Sequence, residues 1–400
     1  MGRDTPNGGP TRREYVKAGG AALGGGLLAG CLADGDGEDD GERAGENGTS
    51  ESTGDGSYTV SMAPMGEVTF EEVPATIFTR LTHHAGMAFA LGRGDDVNSM
   101  HAPDYYDALW NQFTPRLEGV ELDWTGLFSS WEPGREDLYD LDSDVHLADP
   151  ASVVQLSSWD RDDLEEIEER VGPWFGNTLS DRHTPAPDGW QDSYEYYGLW
   201  EIFEKVAQVF KETDRYEALA SIHDDLLAEI EANLPPESER PRAVMVGASS
   251  IDSIYAYTLD NPGFLTAHIR PLEPSPAFED DVTSQSVVDM EQMAEADPDV
   301  ILALGGFHPD TDIQVIRQNF QEHEVGATIT AVENDRIHAQ GARYQGPIVN
   351  LFQLKMTAKQ LYPDAFGDWP TYTEGPYPEI PPEEQLFDRD DVASIIMGEF

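Results

Sequence analysis

Two stretches of this chain, about 150 residues apart, carry nearly the same phrase: residues 136–149 read EDLYDLDSDVHLAD and residues 291–304 read EQMAEADPDVILAL. In each, a glutamate opens an amphipathic turn, an aspartate stands eight positions later, and an aliphatic run begins at once with valine. The phrase spells a short helix running into a buried strand. A helix–strand unit cannot bury its apolar face alone, so two distant copies predict two lobes built alike. Four hundred residues exceed one ordinary domain, which agrees with that division.

The rest of the chain falls into place around the two copies. Residues 66–81, GEVTFEEVPATIFTRL, alternate apolar and polar positions as strands do, with Pro74 between two runs. AGMAFALGRGDDV reads as a helix ending at Gly92, SVVQLSSW at 152–159 as a further strand, and RDDLEEIEERVG as a helix closed by Gly172. Strands alternating with helices predict a parallel sheet. Residues 194–211, YEYYGLWEIFEKVAQVFK, place Leu199, Phe203, Val206 and Phe210 at helical spacing and predict a crossing helix about 27 Å long. A second helix runs to Leu234 before Pro235-Pro236. RAVMVGASS at 242–250 starts a new α/β set, ATITAVENDRIHAQ adds one or two strands, and GPIVNLFQLKMTAKQLYP is a helix ended by Pro363.

Charge narrows the function classes. The formal net charge is −53, with 77 acidic against 24 basic residues, and the acids are spread along the whole length. Such a surface suits a protein kept hydrated in very high salt, where repulsion is screened within roughly 3 Å at 1 M. It excludes nucleic acid, whose phosphates need a basic partner. The first thirty residues differ: Arg12-Arg13 precede an uncharged stretch, Ala18 to Gly30, and then Cys31, the single cysteine. That stretch is too short and Gly-rich to span a bilayer and reads as an export signal of the twin-arginine kind. Leu28-Ala29-Gly30-Cys31 resembles a lipobox, which implies lipidation of Cys31 and leaves no thiol pair for a disulfide. Residues 32–57 are Gly, Asp, Glu and Ser with few apolar side chains and read as an acidic tether, in which Asn47 begins a glycosylation sequon.

In order and spacing these motifs resemble the substrate-binding lipoproteins of ABC importers for ferric siderophores, haem and cobalamin, of a haloarchaeal type. AFALGRGDDV, PDVILAL, AVENDRIHAQ and GPIVNLFQLKMTAKQLYPDAF carry the resemblance over roughly residues 66–365. It implies an α/β fold of two Rossmann-like lobes joined by a single long helix, the class III periplasmic-binding-protein fold. The expected divisions are a signal at 1–31, a tether at 32–57, a first lobe at 58–193, inter-lobe helices at 194–234, a second lobe at 235–372 and an extension at 373–400. It also implies anchoring on the outer face of the cell membrane and an ABC permease as partner, docked by Glu136 and Glu291 through charge-assisted pairs with arginine. No resident cofactor is implied.

In this architecture a ligand sits between the lobes at strand C-termini. The candidates are Arg80, His83, His84, Trp131 and Trp159 in the first lobe, and Tyr255, Tyr257, Arg270, Phe307, His308, Arg343 and Tyr344 in the second. Arginine is scarce here, so one in a small-residue loop stands out as an anion clamp, and iron chelates and corrinoids suit aromatic walls with a few such residues. A bare zinc or manganese site built from His83, His84, His308 and His338 is the rival, weakened because neighbouring histidines on a strand face opposite ways. A surface lipoprotein without a transport role is a further alternative. No G-x-S-x-G, H-E-x-x-H or phosphate-loop motif points to an enzyme.

Overall fold

Both copies of the repeat fold into the same unit. The helices Arg135–Leu141 and Met290–Ala296 carry Glu136 and Glu291 as their second residues. In each, the following side chain reaches back over the first turn: Asp137 accepts from the Gly134 N–H at 2.7 Å and Gln292 from the Asp289 N–H at 3.0 Å. Each helix ends on an aspartate in the left-handed region, Asp142 (φ 45°) and Asp297 (φ 39°), a conformation that short polar residues tolerate. Two residues on, a second aspartate takes up main-chain N–H groups at the head of the adjacent strand. Asp144 accepts from Ala75 and Thr76 at 2.8 and 2.9 Å, and Asp299 from Arg242 at 2.8 Å. The repeated aspartate therefore joins each unit to its sheet.

The computed structural model describes residues 56–400 apart from 180–184, 249–250, 252 and 279–281, together with the backbone of Glu51–Ser52. Arg12, Arg13, Cys31 and Asn47 lie outside the described residues. The first strands, β1 (Glu51–Ser52), β2 (Tyr58–Met62) and β3 (Gly66–Phe70), form an antiparallel sheet whose alternation buries Tyr58, Val60 and Met62 against Val68 and Phe70. Then follow β4 (Ile77–Thr79), α1 (Thr82–Ala90), β5 (Val97–Met100), α2 (Pro103–Trp110), β6 (Phe128–Ser129), α3 (Arg135–Leu141), β7 (Val145–Leu147), α4 (Pro150–Val153) and α5 (Arg161–Arg170). Strands β6, β5, β4 and β7 pair in that order, all parallel, and β4 and β7 are buried along their whole length, as parallel strands are.

Residues 152–159 are not a strand. Asp149 caps α4 by accepting from the Ala151 and Ser152 N–H groups, with Pro150 at the first helical position. These start signals outweigh the strand preference of Val153-Val154.

The crossing also differs from the expected helix over 194–211. Helix α6 (Leu199–Phe210) begins only after Gly198, whose N–H is taken by Glu201. The preceding tyrosines serve elsewhere: Tyr194 donates to Asp149, and Tyr197 accepts from the Ala63 N–H at 3.3 Å. Lys211, in the left-handed region at φ 53°, breaks the chain, and α7 (Thr213–Asn233) then runs for 21 residues against α6. The long element is thus the second helix of a packed pair.

The second lobe contains β8 (Arg242–Gly247), β9 (Ile254–Tyr257), β10 (Ser275–Pro276), β11 (Ser286–Val288), α8 (Met290–Ala296), β12 (Val300–Ala303), α9 (Ile313–Glu322), α10 (Thr330–Glu333), β13 (Ile337–Ala339), α11 (Pro347–Leu361), α12 (Pro363–Phe366) and α13 (Arg389–Met397). Its sheet runs β11-β9-β8-β12-β13, with β10 also paired to β8. It is mixed: β8, β11, β12 and β13 run the same way, while β9, antiparallel to both β8 and β11, runs the other way. Helix α11 is buried at every one of its 15 residues. The segment after it is no appendage, because Tyr377, Ile380, Phe387 and Val392 all enter the core.

One hydrophobic cluster takes residues from both lobes. At its centre α1 crosses the start of α11 with backbone on backbone: a Cβ at Gly86 would lie 2.7 Å from the Gly346 Cα. No helix among the described residues is long and apolar enough to cross a membrane.

Candidate functional site

The ends of β4, β5 and β6 in the first lobe, and the loop after β13 with β9 in the second, deliver polar and aromatic side chains to one place. Arg80 follows β4 and is buried, donating to Ser152 Oγ at 3.1 Å and to the Trp131 carbonyl at 3.5 Å. Burial lowers its pKa, and Tyr344, Asp149 and Glu132 oppose that shift. His101 follows β5 and stacks on Trp131 with centroids 4.2 Å apart. Burial, helped by the Arg80 charge, holds its pKa down at about 3, so the imidazole is neutral. Tyr106 and Tyr344 present rings to the same imidazole at 5.4 and 6.4 Å.

From the second lobe, the Arg343 guanidinium lies over the Tyr257 ring at 4.5 Å. Tyr255 and Tyr257 sit two residues apart on β9 and therefore share a face. A buried amide network holds the Arg343-Tyr344 loop from beneath. Gln345 donates to His268 Nδ1 at 2.7 Å and accepts from Asn350 and Gln353 at 3.1 and 2.8 Å. Asn350 in turn accepts from Trp200 Nε1 at 2.9 Å, which ties the loop to α6. These bonds fix the loop from below, while His268 Nε2 and Gln353 Oε1 have no hydrogen-bond partner among the described residues.

Three of the ring contacts that cross from lobe to lobe lie at this site. His83 stacks on Phe264 at 4.2 Å, Tyr105 on His308 at 3.9 Å and 7°, and His101 meets Tyr344 edge-on. His308 is further fixed by accepting from the Asp310 N–H at 3.0 Å.

The residues singled out from sequence divide accordingly. Arg80, Trp131, Tyr257, Arg343 and Tyr344 come together, with Tyr255 beside Tyr257 and with His83 and His308 at the lobe boundary. His83 and His84 lie on helix α1 and not on a strand; their buried rings are 4.0 Å apart and tilted by 35°. Trp159 is elsewhere, in a separate cluster with Leu138, Leu164 and Trp174, where its Nε1 donates to the Pro133 carbonyl at 2.7 Å. Arg270 braces its own loop through the carbonyls of Asn261 and Gly263. Phe307 is wholly buried, stacked on Tyr372 at 4.0 Å. His338 lines a groove with Arg317 and Trp369, apart from the other histidines. Among the described residues no group of three or more His, Cys, Asp or Glu is arranged to hold a metal. Glu136 and Glu291 are exposed.

The sequence reading missed His101, Tyr105, Tyr106 and Phe264. The available signal was VNSMHAP at 97–103, a short apolar run stopped by proline, which marks a strand end and hence a site position.

Comparison with known proteins places this arrangement. A structure of a periplasmic binding protein from Veillonella parvula overlays with a TM-score of 0.54, covering 77% of this chain and 92% of that one at 13% identity. The fold is that of the class III periplasmic binding proteins. An iron uptake ABC transporter substrate-binding protein from Streptococcus pneumoniae matches with a TM-score of 0.51, covering 74% and 96% at 19% identity. A petrobactin-binding protein from Bacillus subtilis matches at 0.52, covering 76% and 99% at 14% identity. In sequence, residues 147–344 match the family model described as periplasmic binding protein. No curated protein matches the chain. In the periplasmic-binding-protein fold the cluster around Arg80 and Tyr344 occupies the junction of the lobes, at the carboxyl ends of the strands.

Proposed function

We propose that this chain is the extracytoplasmic solute-binding component of an ABC importer, capturing an iron chelate of the siderophore type, or a corrinoid, between its lobes. The observation that carries the reading is the meeting of buried Arg80 and Arg343 with stacked aromatic rings where strand ends of both lobes converge. Guanidinium groups bind carboxylate or catecholate oxygens in pairs, and ring walls cover the apolar body of such a ligand. The likeness to proteins named for iron uptake and petrobactin binding supports the same class. Two arginines favour an anionic chelate over a bare cation, which they would repel.

Thermal-shift screening in about 1 M salt tests this, because that salt screens charges to roughly 3 Å. The probes are ferric siderophores, haem, cobalamin, zinc and manganese. A ligand at about 100 times its dissociation constant should add about 2.7 kcal/mol, and Arg80→Gln should remove the gain. A shift from zinc or manganese alone, abolished by His83→Ala or His308→Ala, would replace the chelate by a metal. No shift with any probe would reject solute binding of this class.

Delivery follows from the repeat. Glu136 and Glu291, exposed at equivalent helix starts on the two lobes, present paired carboxylates to arginines of a permease. Loss of both should lower uptake by cells while leaving the thermal shift unchanged. Anchoring at Cys31 after twin-arginine export completes the proposal. Cys31→Ser should release the protein from the membrane fraction, and full retention would count against the lipid anchor.

A further inference from the structure

Two cations are buried against one aromatic cluster. Lys355, on α11, is wholly buried, and its Nζ has no hydrogen-bond partner among the described residues. It sits 5.7 Å from the centroid of Phe387. Arg389, the first residue of α13, is 7% exposed, and its Nε and Nη2 likewise have none. Its guanidinium carbon lies 5.6 Å from both Phe352 and Tyr377. Phe352 in turn contacts Phe387 at 5.3 Å and Tyr377 at 5.0 Å, so the two cations bracket a single group of rings.

Carboxylates nearby are committed elsewhere. Glu384 pairs with Lys359 at 2.7 Å, Glu379 with Arg116, and Asp388 accepts from the N–H groups of Asp390 and Asp391. A ring face attracts a cation, by about 0.5–2 kcal/mol, but gives its N–H groups no lone pair. Two like charges taken out of water without an acceptor are costly.

We infer that the C-terminal segment closes a binding site for one small monovalent anion of halide size between Lys355 and Arg389. Such an anion accepts from both groups and offsets their repulsion. The Tyr377 and Phe387 rings that the cations face are themselves buried, which favours a small ion over a large one. Burial, with Arg389 and then Lys359 adding to it and Glu384 opposing, brings the Lys355 pKa down to about 7, so its charge state near neutrality is sensitive to a bound anion.

The chain has five lysines, so lysine-selective carbon labelling resolves the Lys355 titration. It should be followed in potassium chloride and in potassium gluconate at equal ionic strength. Chloride stabilises the charged form and should raise the Lys355 pKa by about one unit, a tenfold effect on the proton equilibrium. Crystals soaked in bromide should show an anomalous peak in contact with Lys355 Nζ and Arg389. Equal pKa values in the two salts overturn the inference. So does a bromide peak without the chloride-specific rise, which is an adventitious ion only. In Lys355→Met the chloride-specific increment in Tm should vanish. Should that variant not fold, the wild-type titration and the bromide map still decide.

Discussion

Between pH 7.5 and pH 5.5 this protein is expected to lose several kcal/mol of stability. His83, His101 and His268 are buried, and burial brings their pKa values down to about 3; His146 is brought to about 4. In the unfolded chain each titrates near pH 6.5. The folded pKa is depressed, so the neutral form belongs to the fold and the unfolded chain takes up the proton first. Stability is fully present above about pH 6.5 and falls as the pH drops toward the folded values. Each histidine then contributes a loss of about 1.4 kcal/mol per pH unit. Four together rival the 5–15 kcal/mol that holds a typical protein folded.

Relief of the −53 charge works in the opposite direction, but carboxylates titrate near pH 4, so it enters only later. Denaturant midpoints at pH 7.5, 6.5 and 5.5, in constant molar salt, read the effect. His146→Phe, which removes one imidazole from between Phe78 and Trp174, should flatten the slope. Stability that is level or rising across this range would sink the assignment of these histidines as buried and neutral.

Gly86→Ala is expected to cost at least about 3 kcal/mol, the upper end for overpacking a core. The new Cβ would stand 2.7 Å from the Gly346 Cα and 3.2 Å from its nitrogen. Both obstacles are backbone, so no rotamer change relieves them. Reciprocally, a Cβ at Gly346 would meet the Gly86 Cα at 2.6 Å. Relief requires α1 and α11 to part, which strains the helix crossing on which the two lobes share their core. At roughly 2–4 °C per kcal/mol, Tm should fall by about 6 °C or more. Gly134→Ala is the control: its Cβ would come no closer than 3.4 Å to any atom, and its φ of −92° suits any residue. A Gly86→Ala protein as stable as the control would remove the helix crossing as the fixed point of the fold.

Much of the local structure was written in short-range chemistry. The repeated phrase contains the side chain that reaches back over the first turn, the left-handed aspartate stop and the aspartate that joins it to the sheet, so both units could be recognised from residues alone. Gly92, in the left-handed region at φ 70°, and Gly172 likewise marked helix ends. The misread segments are those where a distant partner decides. Tyr194 and Tyr197 fall within the expected helix over 194–211, yet they lie outside α6 because Asp149 and Ala63 lie within hydrogen-bonding reach. Val153-Val154 suits a strand, yet the Asp149 cap makes it a helix.

The candidate site shows the same division. The resemblance placed a ligand in loops at strand ends, which include Trp131 and Tyr344, and the scarcity of arginine in so acidic a chain made Arg80 and Arg343 conspicuous. Nothing in spacing could separate Trp159 and Phe307, which fill cores, from Trp131 and Tyr344, which meet at the lobe junction. Nor could it draw His101 and Phe264 toward them. By itself the sequence determined two like α/β units and their helix ends, because each depends on neighbours within a few positions, and an acidic chain in which the few arginines stand out. Only the tertiary structure decided which rings stack across the lobes, where Gly86 meets Gly346, and that the C-terminal segment belongs to the core, because those contacts join residues that chain connectivity leaves far apart.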